Sequence, residues 1–314
     1  MTPAFAPSQI LKMNAPDLLR DLDLTDDELL YLLDLAAEVK LAPREYAHAL
    51  DGKSIAILFE KPSLRTRLTF EIAIRELGGG HVFCEGPIGV REPLKDIARN
   101  LDRWVHGIVA RVFAQSTVEG LSEWSRVPVI NALSDVYHPC QAIADMQTIR
   151  EHFGQLEGLK LAFIGDGNNV AQSLMLSATR LGMDFAIACP PGYLPNPDIV
   201  AQAEGLAAVS GASLQITHEP AEALAGAYAV YTDVWASMGQ EQEAVLRKKA
   251  FRDYQVNDDH FRLARPDAIF MHCLPAKRGE ECTDSVMECD RSVVFDQAEN
   301  RLHAQKALLL MMLS

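Results

Sequence analysis

The chain has 314 residues, 48% of them hydrophobic and 23% charged, with a formal charge of −14 from 29 Lys and Arg against 43 Asp and Glu. That length accommodates two domains of ordinary size, and the acidic balance argues against nucleic acid or an anionic membrane as the main partner. The six cysteines are irregularly spaced with no C-x-x-C pair, and the N-terminus has no basic region followed by an apolar one. These features argue against a disulfide framework, a structural zinc site and a secretory leader, and they favour a cytoplasmic protein with reduced thiols.

Taken in chain order, Asp17 to Val39 reads as an amphipathic helix whose second part opens on the capping box Thr25-Asp-Asp-Glu28. The apolar run Lys53 to Phe59 predicts a strand. Ser63 to Leu77 predicts a helix ended by Gly78-Gly-Gly80. A strand over His81 to Cys84, a helix over Glu92 to Val105, a strand over Gly107 to Val112, a helix over Val118 to Ser125 and a strand over Val127 to Asn131 follow. Pro139 to Phe153 is a long helix, and the domain boundary falls at its end, giving a first domain of 1–150 and a second of 151–296. The second half repeats the alternation. Strands are expected at 160–164, 184–188, 214–217, 229–232 and 269–272, with helices at 169–181, 198–210 and 221–224. A final helix from Gln297, whose apolar run Ala307 to Leu313 is too short to span a bilayer, is expected to pack back on the first domain. Alternating strands and helices imply α/β architecture: two doubly wound parallel-sheet domains, with a cleft between them and ligands beyond the carboxyl ends of the strands.

The most informative stretch is Ser63-Leu-Arg-Thr-Arg67 at a strand-to-helix junction. Helix N-terminal N–H groups attract anions, and hydroxyls with forked guanidiniums beside them make a site for a phosphate or another dianion. Read alone, the motif is equally a solvated helix start. His138-Pro-Cys-Gln141 puts an imidazole and an amide at another such junction, where a capping histidine is the plainer alternative. Gly165-Asp-Gly-Asn-Asn-Val170 imitates a dinucleotide fingerprint, but Val170 stands where the third glycine belongs. The next strand ends Ala188-Cys-Pro-Pro without an acid to hold a ribose. Asn168 there is read as an Asx-type turn. Asp233 to Glu241 places an acid and a Ser-Met-Gly loop after a strand, suited to an ammonium group or to an ordinary acidic surface. In His272-Cys-Leu-Pro275 the thiol either packs or touches a reacting amine.

Together, these motifs and the ending Phe295-Asp-Gln-Ala-Glu-Asn-Arg301 resemble the transcarbamoylase family over nearly the whole chain from about Leu29, nearest its ornithine-using branch. The resemblance implies the reaction carbamoyl phosphate + L-ornithine → L-citrulline + phosphate, in arginine metabolism and in the biosynthetic direction, with no cofactor. It assigns carbamoyl phosphate to Ser63, the Leu64 backbone, Arg65, Thr66, Arg111, His138, Pro139, Cys140, Gln141, Cys273, Leu274 and Arg301. It assigns ornithine to Asn169, Asp233, Ser237 and Met238. Arg111, His138, Asp233, Cys273 and Arg301 take the catalytic roles. The family also implies a homotrimer, or a multiple of trimers, with the site near a subunit boundary. Two positions depart from its pattern. Leu64 replaces a common Thr, and the loop Glu85 to Pro93 has no Gln to reach the adjacent subunit's carbamoyl phosphate, so either the loop is realigned or Arg91 or a neighbour supplies the contact. An N-acylated ornithine or another amine is the rival acceptor. A dehydrogenase and a non-catalytic interaction subunit are the rivals from other classes.

Overall fold

A computed structural model describes residues 9–236 and 241–314. The chain divides into two compact units, one of residues 1–147 and 299–314 and the other of residues 148–298.

In the first unit, helix α1 (Asp26–Leu41) opens on Thr25, and both bonds of its capping box form. Strand β1 (Ser54–Phe59) leads to α2 (Leu64–Glu76), β2 (Gly80–Glu85) to α3 (Leu94–Leu101), β3 (Gly107–Arg111) to α4 (Gln115–Trp124), and β4 (Val129–Leu133) to α5 (Pro139–Phe153). All pairs are parallel in the order β2-β1-β3-β4. Ala56, Leu58, Ile108 and Ala110 face one side of the sheet and pack with Ala98, Val118 and Leu121 from α3 and α4. This follows from the period of two along a strand and the apolar spacing of those helices.

The second unit runs β5 (Lys160–Ile164), α6 (Asn169–Arg180), β6 (Asp184–Ala188), α7 (Pro197–Ser210), β7 (Leu214–Thr217), α8 (Pro220–Leu224) and β8 (Ala229–Thr232). Then come α9 (Ala244–Phe251), α10 (Asp258–Phe261), β9 (Ile269–His272), α11 (Asp284–Met287) and α12 (Val294–Leu313), whose last residues belong to the first unit. Its sheet is also parallel, in the order β7-β6-β5-β8-β9. The reversal beside β5 makes the end of that strand the topological switch point, where ligands of such sheets bind. Trp235, Phe251, Tyr254 and Phe270 fill the core under it. No helix of the described residues is long and apolar enough to cross a membrane.

The strand–helix alternation read from the sequence is the one observed. The exception is at the start, where the predicted helix from Asp17 forms only from Asp26. Leu18 instead bridges to Ile130, and the Asp17 carboxylate accepts from the Val129 N–H at 2.6 Å, so the segment is tied to β4 rather than coiled. Pro93 delays α3 to Leu94, because it stands as the N-cap. β4 begins at Val129 rather than Val127, because Pro128 has no N–H to give the ladder. Helices α9 to α11 were not foreseen.

Candidate active site

The first unit gathers its polar residues at the carboxyl ends of its strands. Ser63 is the N-cap of α2, extended in backbone, and its hydroxyl accepts from the Thr66 N–H at 3.3 Å. The chain leaving β1 thus turns at once into a helix whose first N–H, that of Leu64, has no helical acceptor. The Leu64 side chain is 69% exposed, so its main chain is what it can offer a ligand there. Thr66 is buried, and its hydroxyl accepts from Arg301 Nη2 at 2.9 Å. The other terminal nitrogen of Arg301 donates to Gln141 Oε1 at 2.5 Å, and Gln141 in turn donates to Asp145 at 2.8 Å. A guanidinium on α12 thus ties the start of α2 to the first turn of α5.

Arg111 closes β3 at a register shift against β4 and is buried. His138 is buried immediately before Pro139, the first residue of α5. Burial, then the nearby charges of Arg301 and Arg111, hold its imidazole well below the ordinary 6.5, so the ring is neutral. Cys140 is turned inward, with its thiol donating to the Asn131 carbonyl at 3.5 Å and pushed up to about 12 by burial. Only its main chain is left to meet a ligand. Arg65 sits half-buried one residue before Thr66.

Two groups escaped the sequence reading. The Glu60 carboxylate accepts from the Ile88 N–H at 3.0 Å and the Phe113 N–H at 2.8 Å, fixing two loops that flank β1. Ser134 accepts from the Tyr137 N–H at 3.0 Å and donates to Gln115 at 2.6 Å, which shapes the turn leading into His138. The Glu60 partners lie 28 and 53 residues along the chain and Gln115 lies 19 residues before Ser134, so those contacts leave no local pattern.

In the second unit, the residues after β5, β8 and β9 converge. Asp233 is buried. Its Oδ1 accepts from Cys273 Sγ at 3.1 Å and from the Val234 N–H at 2.8 Å, and its Oδ2 accepts from Asn168 Nδ2 at 2.9 Å. Asn168 also caps α6 through the Val170 and Ala171 N–H groups, so the Asx turn is present and holds the acid as well. Asn169, the first residue of α6, is half-buried and accepts from the Val170 N–H at 3.0 Å. Gly167 must be glycine, because a Cβ there would stand 2.2 Å from the Pro195 nitrogen. Ser237 and Met238 lie outside the described residues.

Arg247, on α9, was also missed. It donates to Asp166 Oδ2 at 2.8 Å, to the Trp235 carbonyl at 3.0 Å and to Glu243 at 3.0 Å. Burial raises the Asp166 carboxyl, and Arg247 opposes that rise. In the sequence, Arg247 stands beside Lys248 and Lys249 and reads as a solvated basic face.

Asp233, His272 and Cys273, and likewise His272, Glu281 and Cys282, bring potential metal-ligand atoms within 4.8 Å of one another. Both ring nitrogens of His272 are already engaged, however. Nδ1 accepts from the Leu274 N–H at 2.8 Å, and Nε2 faces Glu281 at 3.1 Å. Those bonds suit a hydrogen-bonded network rather than a cation.

Residues 16–151 match the model of the carbamoyl-P binding domain, and residues 157–312 that of the Asp/Orn binding domain, of aspartate/ornithine carbamoyltransferase. The chain belongs to this carbamoyltransferase family. It is 48% identical over 309 residues to the ornithine carbamoyltransferase of Thermococcus kodakarensis, covering 97% of this chain and 98% of that one. It is 47% identical over 309 residues to the Pyrococcus furiosus protein named anabolic ornithine carbamoyltransferase, with the same coverage of 97% and 98%. The solved structure of ornithine carbamoyltransferase from Pyrococcus furiosus superposes with a TM-score of 0.94, at 47% identity over 97% of this chain and 99% of that one. The family membership accounts for both parallel sheets and for the order of the motifs along the chain.

Proposed function

We propose that this protein transfers the carbamoyl group of carbamoyl phosphate to the δ-amine of L-ornithine, yielding L-citrulline and phosphate, in the biosynthetic direction of arginine metabolism. The observation that carries the reading is Arg301 bonded at once to Thr66 and Gln141, because it joins three of the motifs into one cationic, donor-rich cradle. Carbamoyl phosphate is assigned to Ser63, the Leu64 main chain, Arg65, Thr66, Arg111, His138, the Pro139–Cys140 main chain, Gln141 and Arg301, with Cys273 and Leu274 also in contact. Ornithine is assigned to Asn169, Asp233, Ser237 and Met238.

The chemistry follows from that inventory. Free ornithine carries a δ-ammonium, since alkyl amines of the lysine type titrate near about 10.4, and it must lose a proton before it attacks. Asp233, beside the Cys273 thiol, is an acceptor suited to holding the amine and receiving that proton. The nitrogen lone pair forms the new N–C bond and negative charge grows on the carbamoyl oxygen; the C–O bond to phosphate then breaks as the nitrogen gives its second proton to the departing phosphate. Thr66, Arg111, His138 and Arg301 are donors for that oxygen, and their worth lies in being fixed beforehand. A neutral His138 donates one proton-bearing nitrogen without adding charge. Arg65, Arg111 and the N-terminus of α2 neutralise the departing phosphate.

We assign the working state to a homotrimer, or a multiple of trimers, in the cytoplasm, with the 85–93 loop reaching an adjacent subunit's carbamoyl phosphate. The test is citrulline formation from carbamoyl phosphate with L-ornithine, run beside N-acetylornithine, putrescine and L-aspartate. Turnover with ornithine alone is expected. Turnover with another amine and not ornithine would overturn the assignment of the acceptor.

A further inference from the structure

We propose that Glu281 is a positioning residue for the amine-accepting side of this reaction, acting through the His272 imidazole to hold the Cys273–Leu274 segment in its reactive shape. The inference rests on the transfer reaction proposed above. It begins with Leu274, whose φ of 59° lies in the left-handed region. That region is unfavourable for a non-glycine residue, and such a conformation persists only where its surroundings hold it. The restraint is visible. The Leu274 N–H donates to His272 Nδ1 at 2.8 Å. That bond removes the proton from Nδ1 and, in a neutral ring, leaves it on Nε2.

Nε2 then points at Glu281 Oε1, 3.1 Å away, and both side chains are wholly buried. The same oxygen accepts from the Lys277 N–H at 2.5 Å, which locks the carboxylate into the turn that follows. At the other end of the segment, the His272 N–H donates to Gln297 Oε1 at 2.9 Å, and Gln297 donates to the Tyr231 hydroxyl at 3.0 Å. Cys273 therefore sits between two anchored neighbours, with its thiol donating to Asp233 at 3.1 Å. Rotation of the ring would release Leu274 and move the thiol off Asp233 together.

The second carboxylate oxygen of Glu281 is buried with no hydrogen-bond partner. An acid kept wholly inside with one oxygen unpaired costs stability rather than adding it. What the carboxylate adds is an acceptor that fixes the tautomer and the ring angle, the role carboxylates play behind other working histidines.

The test compares wild type, E281A, E281Q and H272Q in one assay, with kcat and KM for ornithine measured beside the affinity for phosphonoacetamide, a non-transferable analogue of carbamoyl phosphate. E281A is expected to lower kcat/KM for ornithine by about 10- to 100-fold, the scale of a misplaced reacting group. Its affinity for phosphonoacetamide should match wild type. E281Q, whose amide oxygen can still accept from the ring, should recover most of the loss. H272Q loses the rigid ring that accepts from Leu274 and faces Glu281 at once, so it should fall with E281A. A purely structural residue would lower the melting temperature without separating the two substrates. Wild-type ornithine parameters in a folded E281A would overturn the proposal, and should E281A not fold, wild-type parameters in H272Q would do so. A wild-type protein that makes no citrulline would overturn the transfer reading itself, and the proposal with it.

Discussion

The two units gather opposite electrostatics at the ends of their strands. In the first unit, the polar side chains at the strand ends are cations and neutral donors: Arg65, Thr66, Arg111, His138 and Arg301, set at a helix N-terminus. In the second, the centre is a buried acid, Asp233, surrounded by an amide, a thiol and a main-chain N–H. The first set has the chemistry to suit a dianion and the second an ammonium, within a chain whose overall charge is −14. Net charge therefore says little about which ligand a site takes. The local donor set decides.

The sharpest way to break this contrast is at Arg301. Its replacement by Met removes the donor shared by Thr66 and Gln141, and citrulline turnover should fall on the order of 10³-fold, as when one preorganised donor is lost from an oxyanion site. Next comes Arg247, which props up the acid half. Arg247→Met leaves Asp166 buried without its ion-pair partner and should destabilise the protein by about 3–5 kcal/mol, read as a lower denaturant midpoint. Replacing Asp166 and Arg247 together by apolar residues should restore much of it. Asp233→Asn keeps the shape and removes the charge. Ornithine turnover should then drop about 10²-fold, the typical share of a general base, measured as initial rates of citrulline formation.

Ser63→Ala is a smaller change. It removes the cap of α2 at a cost of about 1 kcal/mol, visible in thermal unfolding, and weakens phosphate affinity without touching ornithine. The remaining test is a pH slope. His138 folds as the neutral ring, with its proton affinity held below the ordinary 6.5, whereas the unfolded chain takes up a proton there as the pH drops. Stability that is present above pH 6.5 is therefore lost on acidification towards the lowered folded value, at up to about 1.4 kcal/mol per pH unit. His138→Gln should flatten that slope in unfolding free energies measured at neutral and acid pH.

Legibility in the sequence followed the range of the interaction. Thr25 and Ser63 announce helix starts because a cap and the N–H it accepts from lie three residues apart, and Pro139 because its fixed φ suits a first turn; all three helices begin there. The phosphate motif was readable for the same reason, since Ser63 to Arg67 occupy a single helix turn. The props were not. Arg247 meets Asp166 across 81 residues and Glu60 meets Phe113 across 53, and neither spacing leaves a local pattern. Glu281 was hidden beside Glu280 as one of a pair of loop acids, although Glu281 is wholly buried and Glu280 is not. Asp17 misled because its helical periodicity was local, while the bonds that won came from β4. Asp233 could be guessed from its place at a strand end, but its tether to Asn168 could not.

The most direct test of this division of labour is a calorimetric titration of phosphonoacetamide into Asp233→Asn. The account predicts wild-type affinity in a variant whose ornithine turnover has fallen about 10²-fold. A matching loss of phosphonoacetamide affinity would contradict it, because the dianion would then depend on the acid half as much as on the arginines.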